Sequence, residues 1–131
     1  MIRLEQRLDD ELECIIHRTI GSCIEVHRNL GPGLLENIYR RAICLEMIAT
    51  DVAFETEKLI PVTYRSEILC QQRLDLVVEQ KLLLEIKSVE RLAPIHHAQV
   101  RSYLRVSGLR VGLLMNFNVP VLPEGIRRIV C

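Results

Sequence analysis

Arg73-Leu74-Asp75-Leu76-Val77-Val78, Glu79-Gln80-Lys81, Leu82-Leu83-Leu84-Glu85-Ile86-Lys87: this stretch decides the fold of the 131-residue chain. Two apolar runs around a polar triplet predict a β-hairpin, with strands over residues 68–78 and 82–89. A run as apolar as the second belongs in the middle of a sheet, yet it carries Glu85 and Lys87, and its partner carries Asp75. Side chains at i and i+2 of a strand share a face, so Glu85 and Lys87 point the same way. In an antiparallel hairpin a loop centred on Gln80 sets Asp75 opposite Glu85 and puts both carboxylates and Lys87 on one face. A loop centred between Glu79 and Gln80 does not, unless a bulge intervenes. The charge pattern therefore predicts a three-residue turn or a bulge.

Outward from the hairpin, Leu8, Leu12, Ile15, Ile16, Ile20, Cys23, Ile24 and Val26 recur at helical spacing, which predicts a long amphipathic helix over residues 8–30. Gly31-Pro32-Gly33 stops it. A second helix is expected over residues 34–50, its apolar stripe running through Leu35, Ile38, Tyr39, Ala42 and Ile43 and interrupted by Glu46. Residues 59–64 read as a first strand, and Pro61 suggests a sheet edge. Beyond the hairpin, Pro94 opens a third helix that Gly108 ends, residues 110–117 read as a buried strand, and residues 126–130 as a last one. The expected fold class is α/β: a single domain over residues 1–131, with a central mixed sheet flanked by helices in the order α-α-β-β-β-α-β-β.

With 49% hydrophobic and 26% charged residues, the composition is that of a globular domain rather than a disordered chain. No stretch approaches the ~18 uninterrupted apolar residues of a membrane span, and Met1 to Gln6 lack the apolar segment of a secretory signal, so a cytoplasmic protein without membrane association is expected. Cys14, Cys23, Cys44, Cys70 and Cys131 are odd in number and scattered, which predicts buried, reduced thiols instead of a disulfide framework or metal knuckle. A formal net charge of zero argues against coating nucleic acid by bulk attraction. Residues 1–90 hold 11 Lys and Arg against 16 Asp and Glu, while residues 91–131 hold 6 against one. An acidic part able to hold a cation thus precedes a basic part able to meet phosphate, although a solvated basic surface would look the same.

Burying a carboxylate and an ammonium costs several kcal/mol unless each is paired or bound. A Glu85–Lys87 salt bridge or a wider structural ion network is one explanation. The other is a cation between Asp75 and Glu85, which would otherwise repel each other. Oxygen ligands of this kind suit Mg²⁺ or Mn²⁺, with Lys87 as a point charge beside the reacting groups. An acidic residue two before a lysine is a cheap motif, and Glu79-Gln80-Lys81 repeats it in the turn. Strand context and Asp75 select Glu85-Ile86-Lys87.

Asp75 followed by Glu85-Ile86-Lys87 resembles the signature of PD-(D/E)xK nucleases, and Gly33-Leu34-Leu35-Glu36-Asn37-Ile38-Tyr39 resembles the hallmark of the GxxExxY family within that superfamily. The likeness extends over nearly the whole chain, through Ile20-Gly21, Val26-His27, Leu30-Gly31-Pro32-Gly33, Pro94-Ile95-His96-His97-Ala98-Gln99 and Gly108-Leu109-Arg110-Val111-Gly112-Leu113-Leu114 with Asn116-Phe117. It implies a restriction-endonuclease-like core. It also implies a Mg²⁺ or Mn²⁺ site formed by Glu36, Asp75, Glu85 and the backbone carbonyl of Ile86, with Lys87 as catalytic lysine. Gln99 and Tyr103 match the Q-xxx-Y helix motif of RecB-like and lambda-exonuclease-like members, Gln99 approaching the site and Tyr103 contacting substrate. His96 shares their stripe, while Arg101 and Arg105 form another that could meet phosphate. One departure is Arg73, which leaves no proline in the "PD" element.

The implied function is hydrolysis of nucleic acid phosphodiesters by a metal-activated water, with exonucleases among the similar families and DNA favoured over RNA as substrate. The competing reading is a non-catalytic subunit that binds nucleic acid or protein through the same fold. A homodimer or a larger nucleic-acid-processing complex suits a chain of this size. His17 and His27 read as structural or incidental.

Overall fold

A computed structural model describes residues 8–131. Asp9 Oδ1 accepts the Leu12 N–H at 2.8 Å and fixes the start of helix α1 (Asp10–Leu30). Gly31, at φ 68°, ends it and donates its N–H to the His27 carbonyl. Helix α2 (Glu36–Ala49) begins later than its apolar pattern suggests, because Leu34 is already engaged. Its N–H donates to Tyr39 Oη at 3.1 Å, and its carbonyl accepts from Ser88 Oγ at 2.6 Å. Tyr39 Oη in turn donates to the Gly31 carbonyl at 2.6 Å, so one buried phenol ties the Gly31-Pro32-Gly33 loop to the helix that follows.

The buried stripe of α2 is Tyr39, Ile43 and Met47. Leu35, Ile38, Leu45 and Ile48 are exposed, which corrects the expected stripe through Leu35 and Ile38. The sequence offers two apolar faces on this helix, and stacking of Tyr39 on Phe117, with ring centroids 4.6 Å apart, selects the one that turns inward.

Strands β1 (Phe54–Tyr64), β2 (Glu67–Val78), β3 (Leu82–Lys87), β4 (Val111–Asn116) and β5 (Ile126–Val130) lie side by side in that order. β1, β2 and β3 form an antiparallel meander, β3 and β4 are parallel, and β5 returns antiparallel to β4. Helix α3 (Pro94–Ser107) is the crossover that the parallel pair requires. On one face α1 and α2 bury Leu12, Ile16, Ile43 and Met47 against Leu76, Leu84, Ile86, Leu113 and Met115. On the other, Val100 and Leu104 of α3 cover Val77, Leu83 and Leu114. α3 lies close on the sheet, since a Cβ added to Gly112 of β4 would sit 2.9 Å from Val100 Cγ1. The expected mixed sheet flanked by helices is thus what forms. Among the described residues no helix is long and apolar enough to cross a membrane.

The hairpin pairs Leu76 with Leu84, Val77 with Leu83 and Val78 with Leu82, the register that a turn centred on Gln80 demands. Lys81 N–H donates to the Val78 carbonyl at 3.0 Å, and Glu79 and Gln80 both take positive φ. Two strand ends and one added turn differ from expectation. β1 starts at Phe54, five residues early, because pairing with the buried end of β2 extends a polar run that its own propensity would not. It is an edge strand, as Pro61 requires. β3 stops at Lys87 because the Asn116 side chain replaces the ladder beyond it, accepting from Val89 N–H at 3.0 Å and donating to its carbonyl at 2.9 Å. A 3₁₀ turn (Leu122–Gly125), absent from the periodicity, precedes β5. The cysteines are free, but Cys14, Cys70 and Cys131 are exposed and Cys44 is half-buried, so only Cys23 fits the expectation of burial.

Candidate metal centre

The site forms where the β-ladder opens. β2 and β3 stay paired as far as Leu76 and Leu84, and the β1–β2 ladder skips the position where Glu57, at φ 51°, faces Asp75. Leu76 and Val78 point beneath α1 and α2, whereas Leu74 packs beneath α3, so β2 rolls about Asp75. The roll lets the Asp75 carboxylate reach in two directions. Its Oδ2 accepts the Ile86 N–H at 3.0 Å, taking the place of a ladder bond, and its Oδ1 accepts from Arg40 Nη2 of α2 at 3.1 Å.

Glu85, one step along β3, is 6% exposed, and its Oε1 has no hydrogen-bond partner. Burial, the Asp75 charge and a hydrogen bond with the Asp75 carboxyl push its pKa up to about 8, against the opposing pull of the Lys87 ammonium. Glu85 forms no ion pair with Lys87 among the described residues, so the simplest structural explanation of the two charges fails. Tyr103 of α3 lies in the same field: burial, then the charges of Glu85 and Asp75, raise its pKa.

An orphaned buried carboxylate oxygen beside a second carboxylate fits a hard divalent cation, which takes one or two carboxylates and keeps water in its remaining positions. Among the described residues no three His, Cys, Asp or Glu side chains converge on a metal position. Glu36, which the resemblance assigns to the metal, therefore does not join Asp75 and Glu85 in one preformed cluster. It is the half-buried first residue of α2, one helical turn before Arg40. Ile86 brings its main chain to the site, its N–H already committed to Asp75. Lys87 is half-buried at the end of β3, paired in register with Asn116.

The α3 candidates divide. Gln99 and Tyr103 are half-buried and flank the core residues Val100 and Leu104. His96 is engaged at the helix start, where its Nδ1 accepts the Ala93 N–H at 2.9 Å. Arg101 and Arg105 are exposed, and Arg105 donates to Ser102 Oγ at 3.1 Å. Sequence reasoning missed Arg40, Ser88 and Asn116. The one available signal was the spacing of Arg40 four residues after Glu36, which puts both on one helix face. His27 is structural: its Nε2 lies 2.8 Å from the Val119 carbonyl and 3.2 Å from that of Phe117, two acceptors that call for an Nε2–H donor.

The model of the PD-(D/E)XK nuclease superfamily matches residues 13–129. The chain belongs to the PD-(D/E)XK nuclease superfamily. No curated protein and no solved structure matches it. Asp75 lies on β2, and Glu85 and Lys87 lie on its neighbour β3.

Proposed function

We propose that this protein hydrolyses nucleic acid phosphodiester bonds with Mg²⁺ or Mn²⁺ held by Asp75, Glu85 and the Ile86 carbonyl, and with Glu36 contributing from α2. The observation that carries the reading is Glu85: a buried carboxyl with an unpartnered oxygen beside a second carboxylate ionises at neutral pH only when a cation is bound there. A bound divalent ion supplies a water of lowered pKa and neutralises phosphate charge. The chain's own groups do the rest. Asp75, fixed by the Ile86 N–H, sets the geometry of the site. Lys87 Nζ, on the Glu85 face of β3, holds the attacking water and offsets negative charge growing on the phosphate. Gln99 orients the attacking side from α3, Tyr103 contacts the nucleotide, and His96, Arg101 and Arg105 meet neighbouring phosphates. Exposed Leu59, Tyr64, Ile68 and Leu69 on the β1–β2 ribbon support self-association or incorporation into a larger complex.

A second reading, a non-catalytic subunit that binds nucleic acid or protein, is favoured by the Arg40–Asp75 ion pair, which already supplies a positive charge to one of the two carboxylates. The assay that separates the two incubates the protein with linear and circular DNA and with RNA, single- and double-stranded, in Mg²⁺, Mn²⁺ or EDTA. The expected result is cleavage of at least one substrate in metal, with DNA preferred, and none in EDTA. Folded protein that binds Mn²⁺ and a nucleic acid yet cleaves nothing would establish the second reading instead.

A further inference from the structure

We propose that Arg40 is a displaceable counter-cation. Its guanidinium holds Asp75 in the metal-free protein and leaves that carboxylate when a divalent ion binds, with Glu57 as its alternative acceptor. The inference rests on the reading of Asp75 and Glu85 as metal ligands.

Both Asp75 oxygens are engaged, but unequally. Oδ2 is held by the main-chain N–H of Ile86, which cannot leave without disturbing β3. Oδ1 is held by one arm of Arg40, at 3.1 Å, and a side chain can leave. The pair is largely shielded from solvent, with the two side chains 21% and 18% exposed, so salt screens it less than a surface pair. It is also imperfect. Arg40 Nε is buried with no hydrogen-bond partner, so the guanidinium does not make the two-armed contact that gives arginine–carboxylate pairs their strength.

The released side chain has somewhere to go. A cleft of about 530 Å³ opens between α2 and β1, and Arg40 lines it together with Asn37, Arg41, Thr56 and Glu57. The Glu57 carboxylate meets Arg73 only at 3.6 Å on the surface. Its unusual backbone, at φ 51°, sets it across the gap in the ladder from Asp75, so Arg40 is flanked by two acidic strand positions. A divalent ion at Asp75 and Glu85 repels the guanidinium and competes for Oδ1, so Arg40 and the metal bind that carboxylate antagonistically. By linkage each weakens the other's hold to the same degree. The pair would then keep Asp75 neutralised in the absence of metal and raise the metal concentration at which the site fills.

The test is a calorimetric Mn²⁺ titration of wild type, Arg40→Gln, Glu57→Gln and Asp75→Asn, with thermal unfolding of each in EDTA and in Mn²⁺. Arg40→Gln is expected to bind Mn²⁺ roughly tenfold more tightly, the scale of one partly buried ion pair, and Glu57→Gln roughly threefold more weakly. In EDTA Arg40→Gln melts below wild type, and Mn²⁺ raises its Tm by more than it raises that of wild type. A structural arginine would instead lower Tm equally with and without metal. If Arg40→Gln does not fold, the exposed Glu57 position decides. Wild-type binding that Asp75→Asn abolishes, with affinity unchanged or weakened in Arg40→Gln or unchanged in Glu57→Gln, would overturn the role of Arg40 while leaving the metal centre standing. Absence of Mn²⁺ binding in wild type and Arg40→Gln alike would remove the metal centre and this inference with it.

Discussion

Glu85→Gln stabilises the metal-free protein at alkaline pH and removes its stabilisation by Mn²⁺. The folded protein holds the Glu85 proton up to a pKa of about 8, while an unfolded glutamate releases it near 4.3. Below the unfolded value both states are protonated and burial of the neutral carboxyl carries no penalty for charge. As pH rises from there to about 8, unfolding releases a proton, so stability falls through that window and the full loss is present above it. At ~1.4 kcal/mol for each pH unit of the shift, the effect is on the order of several kcal/mol. Glutamine keeps the shape and cannot ionise. Urea midpoints in EDTA at about pH 5 and about pH 9 should therefore fall for wild type relative to Glu85→Gln, the difference isolating this one group. Parallel behaviour of the two proteins, or a variant weaker at both pH values, would assign Glu85 to a structural network.

Lys87→Ala lowers cleavage by roughly 10²–10³-fold with Mn²⁺ affinity within about threefold of wild type, as expected of a group that stabilises charge appearing only in the transition state. Lys87 is half-buried at the strand end, so its truncation opens no core cavity, and its ammonium is close enough to lower the pKa of Glu85. Single-turnover rates and calorimetry on the same preparations separate chemistry from binding. A rate loss below tenfold, or a parallel loss of affinity, would show that Lys87 maintains the ligands instead of assisting the reaction.

The hairpin was legible because its two constraints agree. The two apolar runs of residues 73–87 mark the strands, and of the regular turns the one centred on Gln80 puts Asp75, Glu85 and Lys87 on one face, which is the register that forms over Leu76–Val78 and Leu82–Leu84. Pro61 marked the edge strand because a residue without an N–H cannot donate to a partner strand, which suits β1 with its one open side; there Pro61 pairs in register with Gln71 of β2. Where local pattern and tertiary contact compete, the sequence was less informative. Helix α2 offers two apolar faces, and the choice between them depends on Phe117, far along the chain. Phe54 to Lys58 extend only because β2 pairs with them.

The site divides along the same line. Asp75, Glu85 and Lys87 could be read from strand periodicity and burial cost. Arg40 could not, because its partner lies on another element and its role depends on the roll of β2 at Asp75. Asn116 carries no charge to mark it, yet its amide ends β3 and shapes the loop that leads to α3. His96 has a structural part that its place on the Gln99 and Tyr103 stripe did not announce: its Nδ1 accepts the Ala93 N–H at the start of α3.

A calorimetric Mn²⁺ titration of wild type alongside Asp75→Asn decides, before any substrate is chosen, whether Asp75 and Glu85 hold a divalent cation. Saturable binding by wild type and a loss of roughly a hundredfold or more in Asp75→Asn are expected, since a direct ligand is worth at least as much as the groups that orient it. Folded wild type that takes up no Mn²⁺, or equal binding by both proteins, would contradict a cation held there.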